Sequence, residues 1–205
     1  MNLRQLCTLA LLIAPLTSFA KGPVGIGQLE IGMPRAAVEG LRVDGGVHLS
    51  SPLTPYQNKY YEPKPGEDRF DAMLMTPFSK EPLKSVLTFS DGNLKSIYID
   101  LGDSSRIVDQ VKELITAKYG EPKIENSMKE EQCIYKGGAN FKVSSGSIRN
   151  LWSQDRANAE PISTSLSDTI IDTCPSNLRY AMGAIKSRSL TIGVAQPVKP
   201  VVNPF

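Results

Sequence analysis

Two runs dense in β-branched and aromatic residues, Ser85-Val86-Leu87-Thr88-Phe89-Ser90 and Asn93-Leu94-Lys95-Ser96-Ile97-Tyr98-Ile99-Asp100, are separated by the pair Asp91-Gly92. Asp-Gly tolerates the positive φ that a two-residue turn demands, so residues 85–100 are predicted to form a β-hairpin. Its second arm thickens into Ile97, Ile99 and Leu101 with Tyr98 between them, which places that arm in the interior of its sheet. Immediately after it, Ile107, Val108, Val111, Leu114, Ile115 and Tyr119 recur at one-face helical spacing over residues 104–119. Asp103 or Ser104 can cap the start of this helix, and Gly120 with Pro122 ends it. A hairpin followed at once by an amphipathic helix implies a helix packed on a sheet.

The remaining segments are read around that centre. Pro34 opens a short helix whose buried face would be Ala36, Ala37, Val38 and Leu41, and Asp44-Gly45-Gly46 makes a turn. Residues 51–66 hold Pro52, Pro55, Pro63 and Pro65 and are predicted to be an extended loop, because proline removes ladder donors. A strand over 69–76 would put Phe70, Ala72 and Leu74 on one face and Met73 and Met75 on the other. Three short strands are expected at 132–135, 140–144 and 147–152, a short helix at 176–186 capped by Ser176, and a closing strand at 189–194. The fold class that follows is α+β, antiparallel meanders with two or three short helices packed on them. Residues 21–195 make one domain, with a duplication into two similar halves dividing near residue 103 left open. Prolines at 197, 200 and 204 predict a disordered tail over 196–205.

The first twenty residues set the compartment. Arg4 precedes an apolar run over 6–16, and Ser18-Phe19-Ala20 supplies small residues flanking a cleavage point before Lys21. This is the order of a cleaved signal peptide, and the run is too short to span a bilayer by helix, which needs about 20 apolar residues. The expected location is therefore the periplasm, with no stable membrane anchor. Cys7 leaves with the signal, and Cys133 and Cys174, 41 residues apart, are expected to pair in an oxidising compartment. Closing a loop of that length contributes about 3 to 5 kcal/mol in the chain-entropy account. Lysines and acids alternate around a formal net charge of +2 without a basic stripe, so no nucleic-acid partner is implied.

Ile31-Gly32-Met33-Pro34-Arg35-Ala36-Ala37-Val38-Glu39-Gly40-Leu41, together with Lys118-Tyr119-Gly120-Glu121-Pro122, resembles the small periplasmic lipoproteins related to the accessory subunit of the β-barrel assembly machinery, the BamE/SmpA type. The resemblance covers about eleven residues closely and about seventy loosely. It implies a helical pair on a three-stranded antiparallel sheet and a binding or scaffolding role without catalysis. Pro34 replaces the capping Thr or Ser of that pattern, the glycine-proline expected after the first helix is missing after Leu41, and no lipid-bearing cysteine follows the signal. Membrane anchoring and binding residues are accordingly not carried over.

The sequence assembles no catalytic group. His48 is the only histidine and lies in a turn-rich stretch with no nucleophile elbow in the chain. Asp100 with Asp103 and Asp168 with Asp172 are the nearest approach to a carboxylate pair, but Asp103 is explained as a helix cap, and Asp168 and Asp172 flank Ile170-Ile171 as an ordinary solvated face would. Gly25-Ile26-Gly27 lacks the third glycine of a dinucleotide fingerprint. No catalytic residue, metal site or cofactor is expected, and whether the chain is an enzyme is left open. Tyr56, Tyr60 and Tyr61, in the proline-rich loop, are the candidate binding residues, since tyrosine offers rigid contact area with a polar tip. Three functions follow in order: a non-enzymatic module binding another periplasmic or envelope protein, an inhibitor or immunity protein neutralising a periplasmic hydrolase or toxin, and a carboxylate-dependent hydrolase.

Overall fold

The structure is a computed structural model, and it describes residues 22–58, 62, 64–157, 159–175 and 183–195. The expected signal peptide, the 196–205 tail, Tyr60 and Tyr61 lie outside the described residues. In chain order the elements are β1 (Gly25–Ile26), β2 (Leu29–Glu30), α1 (Arg35–Glu39), β3 (His48–Leu49), β4 (Thr54–Pro55), β5 (Glu67–Thr76), β6 (Ser79–Ser90), β7 (Asn93–Asp100), α2 (Ser105–Tyr119), β8 (Lys123–Asn126), β9 (Lys129–Ile134), β10 (Asn140–Arg156), β11 (Ala159–Ile171) and β12 (Ile185–Val194). Apart from the small β1–β2 hairpin, every strand joins one antiparallel sheet in the order β3-β5-β6-β7-β12-β11-β10-β8, with β4 added on β5 and β9 on β10. Strand outweighs helix 55 % to 14 %, so this is a β-rich fold, and the α+β assignment is corrected. The physical reason is that the second half of the chain is built from three long strands whose outward residues are mostly Ser and Thr, which mute the hydrophobic signal of a sheet.

Two meanders, β5–β6–β7 and β10–β11–β12, meet through their last strands, so β12 inserts beside β7 in the middle of the sheet. The predicted hairpin stands at the Asp91-Gly92 turn, where φ is 49° and 77°. Strand alternation then builds one dry face. Phe70, Leu87, Ile97, Ile192, Thr164 and Trp152 lie side by side across six strands, followed by Ala72, Ser85, Ile99, Leu190, Leu166 and Asn150. Val38 of α1 and Val108, Val111 and Ile115 of α2 belong to the same core. Thr164 is tolerated at its centre because its hydroxyl donates to the Pro23 carbonyl at 3.2 Å.

Local differences from the sequence reading have identifiable causes. In α1 only Val38 is buried, and Ala36 and Ala37 face solvent. A five-residue helix cannot hold itself, and here the chain around it is stitched to the β6–β7 turn by Gly32 N–H to Leu94 O (2.7 Å), Leu94 N–H to Met33 O (2.8 Å) and Arg35 N–H to Gly92 O (3.0 Å). Ser104 occupies the N-cap of α2 without a side-chain hydrogen bond. The far end of that helix is held instead by Trp152, whose indole N–H donates to Gly120 O at 2.9 Å. The two strands expected at 140–144 and 147–152 are one, β10, because Gly146 bends the strand at φ 139° without ending it. A Cβ there would lie 2.4 Å from Ser127 O, and at this point β10 exchanges β9 for β8 and β11 as partners. The helix expected over 176–186 lies partly outside the described residues, but Ile185 and Lys186 begin β12. The sulfurs of Cys133 and Cys174 stand at bonding distance, an arrangement compatible with a disulfide.

Candidate functional site

The two α-helices of the described residues contribute to the core on one side of the sheet, and the alternate residues of the same strands form the other side. Registers line these up in rows. The first row is Arg69, Thr88, Ser96, Gly193, Ser163 and Ser153, crossing β5, β6, β7, β12, β11 and β10. The second is Asp71, Val86, Tyr98, Thr191, Ser165 and Leu151. A third runs Asp100, Ser189, Ser167, Arg149 and Glu125, closed at the β8 edge by an Arg149–Glu125 ion pair of 2.9 Å. The face thus carries many short hydroxyl side chains, most of them partly exposed, with Thr88 and Gly193 buried.

Tyr98 is the large side chain near the middle of this face and is 36 % exposed. Partial burial pushes its phenol above the usual tyrosine value, the Asp100 carboxylate and the Tyr56 phenol act in the same direction, and a hydrogen bond from the Ser189 hydroxyl opposes them. Tyr56 is therefore within electrostatic reach of Tyr98. It is placed by its backbone N–H, which donates to Arg69 O at 3.0 Å just after β4 pairs with β5, and its hydroxyl accepts from the Asn58 amide at 3.2 Å.

Beside the tyrosines the first row sinks into a cavity of about 410 Å³ among β5, β6, β7, β11 and β12. Glu67 is buried in its wall, with Arg69 Nη2 3.2 Å from Oε1 and Lys95 Nζ 3.9 Å from Oε2. Thr88, Ser96, Ser163, Ser165 and Thr191 line the rest together with Gly193, Val194 and Ala195.

Of the candidate binding residues, Tyr56 comes to this face. The two cysteines lie away from it, between β9 and the segment after β11. His48 pairs with Met75 at the β3 edge. Asp100 accepts the Gly102 N–H at 2.9 Å through its carboxylate, as a turn residue does. Asp168 faces Arg188 on the helix side of the sheet at 3.2 Å, with the guanidinium N–H aimed past the carboxylate, while Arg188 donates to Asp103 O at 2.6 Å. Asp172 meets Ser145 through its backbone N–H and carbonyl. Arg188 thus lies between Asp168 and the Asp103 carbonyl, while Asp100 and Asp172 are engaged in local contacts of their own. No cluster of potential metal ligands occurs among the described residues, and no helix there is long and apolar enough to cross a membrane.

Sequence reasoning missed Glu67, Arg69, Lys95 and Tyr98 as a group because they are separated in sequence and joined only by register. One signal was available: Ile162-Ser163-Thr164-Ser165-Leu166-Ser167 alternates with period two, the pattern of a strand with one dry and one wet face. Comparison with known proteins finds no matching family model, curated protein or solved structure.

Proposed function

We propose that this chain is an exported, non-enzymatic binding module whose sheet face opposite the two α-helices, uncovered among the described residues, receives another protein of the periplasm or envelope. The observation that carries the reading is the asymmetry of the sheet: both helices lie on one side, and the other side presents rows of hydroxyls around Tyr98 and Tyr56. A surface of this kind suits protein recognition. Tyrosine supplies contact area at low entropic cost, and serine and threonine supply adaptable hydrogen bonds, the division of labour seen in binding loops. The signal-like residues 1–20 and the Cys133–Cys174 pair, read as a disulfide, support a location outside the cytoplasm.

The test is capture from an envelope extract, with the mature chain as bait beside a Tyr98→Arg bait of unchanged circular dichroism and melting temperature. Wild type should retain a discrete partner and the variant at least about tenfold less, as for loss of a central aromatic contact. No specific partner, or equal capture by both baits, refutes the reading.

A further inference from the structure

The edge of the sheet beyond β10 carries a pattern of its own. β8 and β9 lie on β10 in one unbroken register: Asn126 is opposite Ile148, Lys129 opposite Ser145 and Ile134 opposite Asn140. Residues 123–134 therefore act as a single outer strand, interrupted only where Ser127 and Met128 pass Gly146. Ser127 N–H donates to Ser147 O at 2.9 Å and, past the far end, Tyr135 N–H donates to Ala139 O at 3.0 Å, so the odd-numbered residues aim their backbone groups at β10. By strand alternation the even-numbered residues aim theirs outward, where no further strand follows among the described residues. The Asn126 side chain accepts the outward N–H of Met128 at 2.9 Å, and Ile124, Glu130 and Gln132 present theirs along the edge.

The charges on this edge select the occupant. The odd-numbered side chains share one side of the strand and read Lys123, Glu125, Ser127, Lys129, Glu131. Lys123, Lys129 and Glu131 are exposed and Glu125 partly so. Their signs run plus, minus, neutral, plus, minus, a sequence that inverts on reversal about Ser127. Laid antiparallel on a second copy about that residue, Lys123 of one chain meets Glu131 of the other and Glu125 meets Lys129, each pair occurs twice, and no like charges oppose. A centre one residue earlier sets Lys123 against Lys129, and one residue later sets Glu125 against Glu131. The charge-matched register also puts the outward N–H and C=O of Ile124 opposite those of Glu130, and the N–H of Gln132 opposite the carbonyl of Pro122, which has no donor to strand. Lys129 and Glu131 have no ion-pair partner among the described residues, while Glu130 is held by Lys142 of its own chain at 2.8 Å. Charged edges ordinarily repel added strands; this one repels most and complements itself. We infer that the edge over residues 123–131 pairs with the same edge of a second copy, giving a twofold dimer. The axis of such a pair stands perpendicular to the sheet, so the two hydroxyl-bearing faces turn the same way. The pairing holds whatever those faces bind.

The test is sedimentation equilibrium of the full mature chain from about 1 μM to about 1 mM, with two charge reversals, Lys123→Glu and Glu131→Lys. Wild type should form a concentration-dependent dimer. Each variant alone sets like charges opposite one another at positions 123 and 131, and its dimer should dissociate at least tenfold more readily. An equimolar mixture of the two variants restores every opposite-sign pair, and should return dimerisation to within about threefold of wild type. That recovery also separates lost pairing from lost folding, since a misfolded variant cannot be rescued by its counterpart. A wild-type chain that stays monomeric throughout overturns the dimer, as does one that is monomeric alone yet has its Ile124 and Glu130 amides protected from exchange in an envelope extract, which would give the edge to a strand of a different protein. A dimer weakened by neither variant, or a mixture no stronger than the variants alone, overturns the edge pairing.

Discussion

Opening the Cys133–Cys174 link tests the fold and its compartment together. The link joins β9 to the segment following β11, with β10 paired between them, and encloses a span of 41 residues containing β10 and β11 whole. In the chain-entropy account, closing a loop of that length removes about 13 cal/mol/K from the unfolded ensemble, or about 4 kcal/mol at 25 °C. Cys133 is 2 % exposed, so reduction should be done on the unfolded chain before refolding with reductant present. Trp152, the only tryptophan and buried in the core, reports unfolding by fluorescence. With a urea m value of about 2 kcal/mol/M, the reduced protein should unfold at about 2 M less urea than the oxidised one. A Cys133→Ala/Cys174→Ala variant should match the reduced protein and be insensitive to reductant. Coincident midpoints for oxidised and reduced protein, or two titratable thiols in protein purified without reductant, would refute both the bond and the stability assigned to it.

Three further outcomes follow from side chains already placed. Trp152→Phe keeps most of the apolar packing but leaves Gly120 O without its indole donor, and should cost about 1 to 3 kcal/mol in chemical denaturation followed by circular dichroism. Because the Tyr98 phenol is raised in the folded state above its ordinary value of 10.0, the folded chain binds more protons than the unfolded one from about pH 10 upward. Its contribution to stability is therefore present below that pH and lost as pH rises, and Tyr98→Phe should flatten the alkaline limb of a melting-temperature profile. Gly193→Val fills the floor of the cavity against Lys95 O and Ser96, and should reduce partner capture at least about tenfold with a stability change of about 1 to 3 kcal/mol.

The first half of the chain was far more legible than the second. Asp91-Gly92 and the alternation of Phe70, Ala72 and Leu74 spell turn and strand in local terms, and the stripe from Ile107 to Tyr119 spells helix. β11 escaped because Ser163, Ser165 and Ser167 are weak strand formers on propensity and its inward row includes Thr164, which is buried only because the Pro23 carbonyl, 141 residues away in sequence, receives its hydroxyl. Ser145-Gly146 carries the local signal of a break, but a glycine at a positive φ can bend a strand and let it continue. The candidate site was hidden for a different reason. Tyr56 is visible as a loop aromatic, but the cavity depends on which residues face each other across five strands, and on a one-residue bulge that shifts Lys95 to the wet face. Neither is a property of any local window.

The strand at the heart of the sheet, β12, is the last in order of the described strands. A ribosome or an export channel therefore releases β5, β6 and β7 well before the strand that seals β7. During that interval β7 presents an open edge carrying Ile97 and Ile99, which are completely buried once β12 arrives. An unpaired edge of this composition invites pairing with other chains. The architecture thus makes delivery of residues 185–194 the committing event in assembly, and a chain shortened before them would expose a sticky seam down its centre while losing, of the described strands, β12 alone.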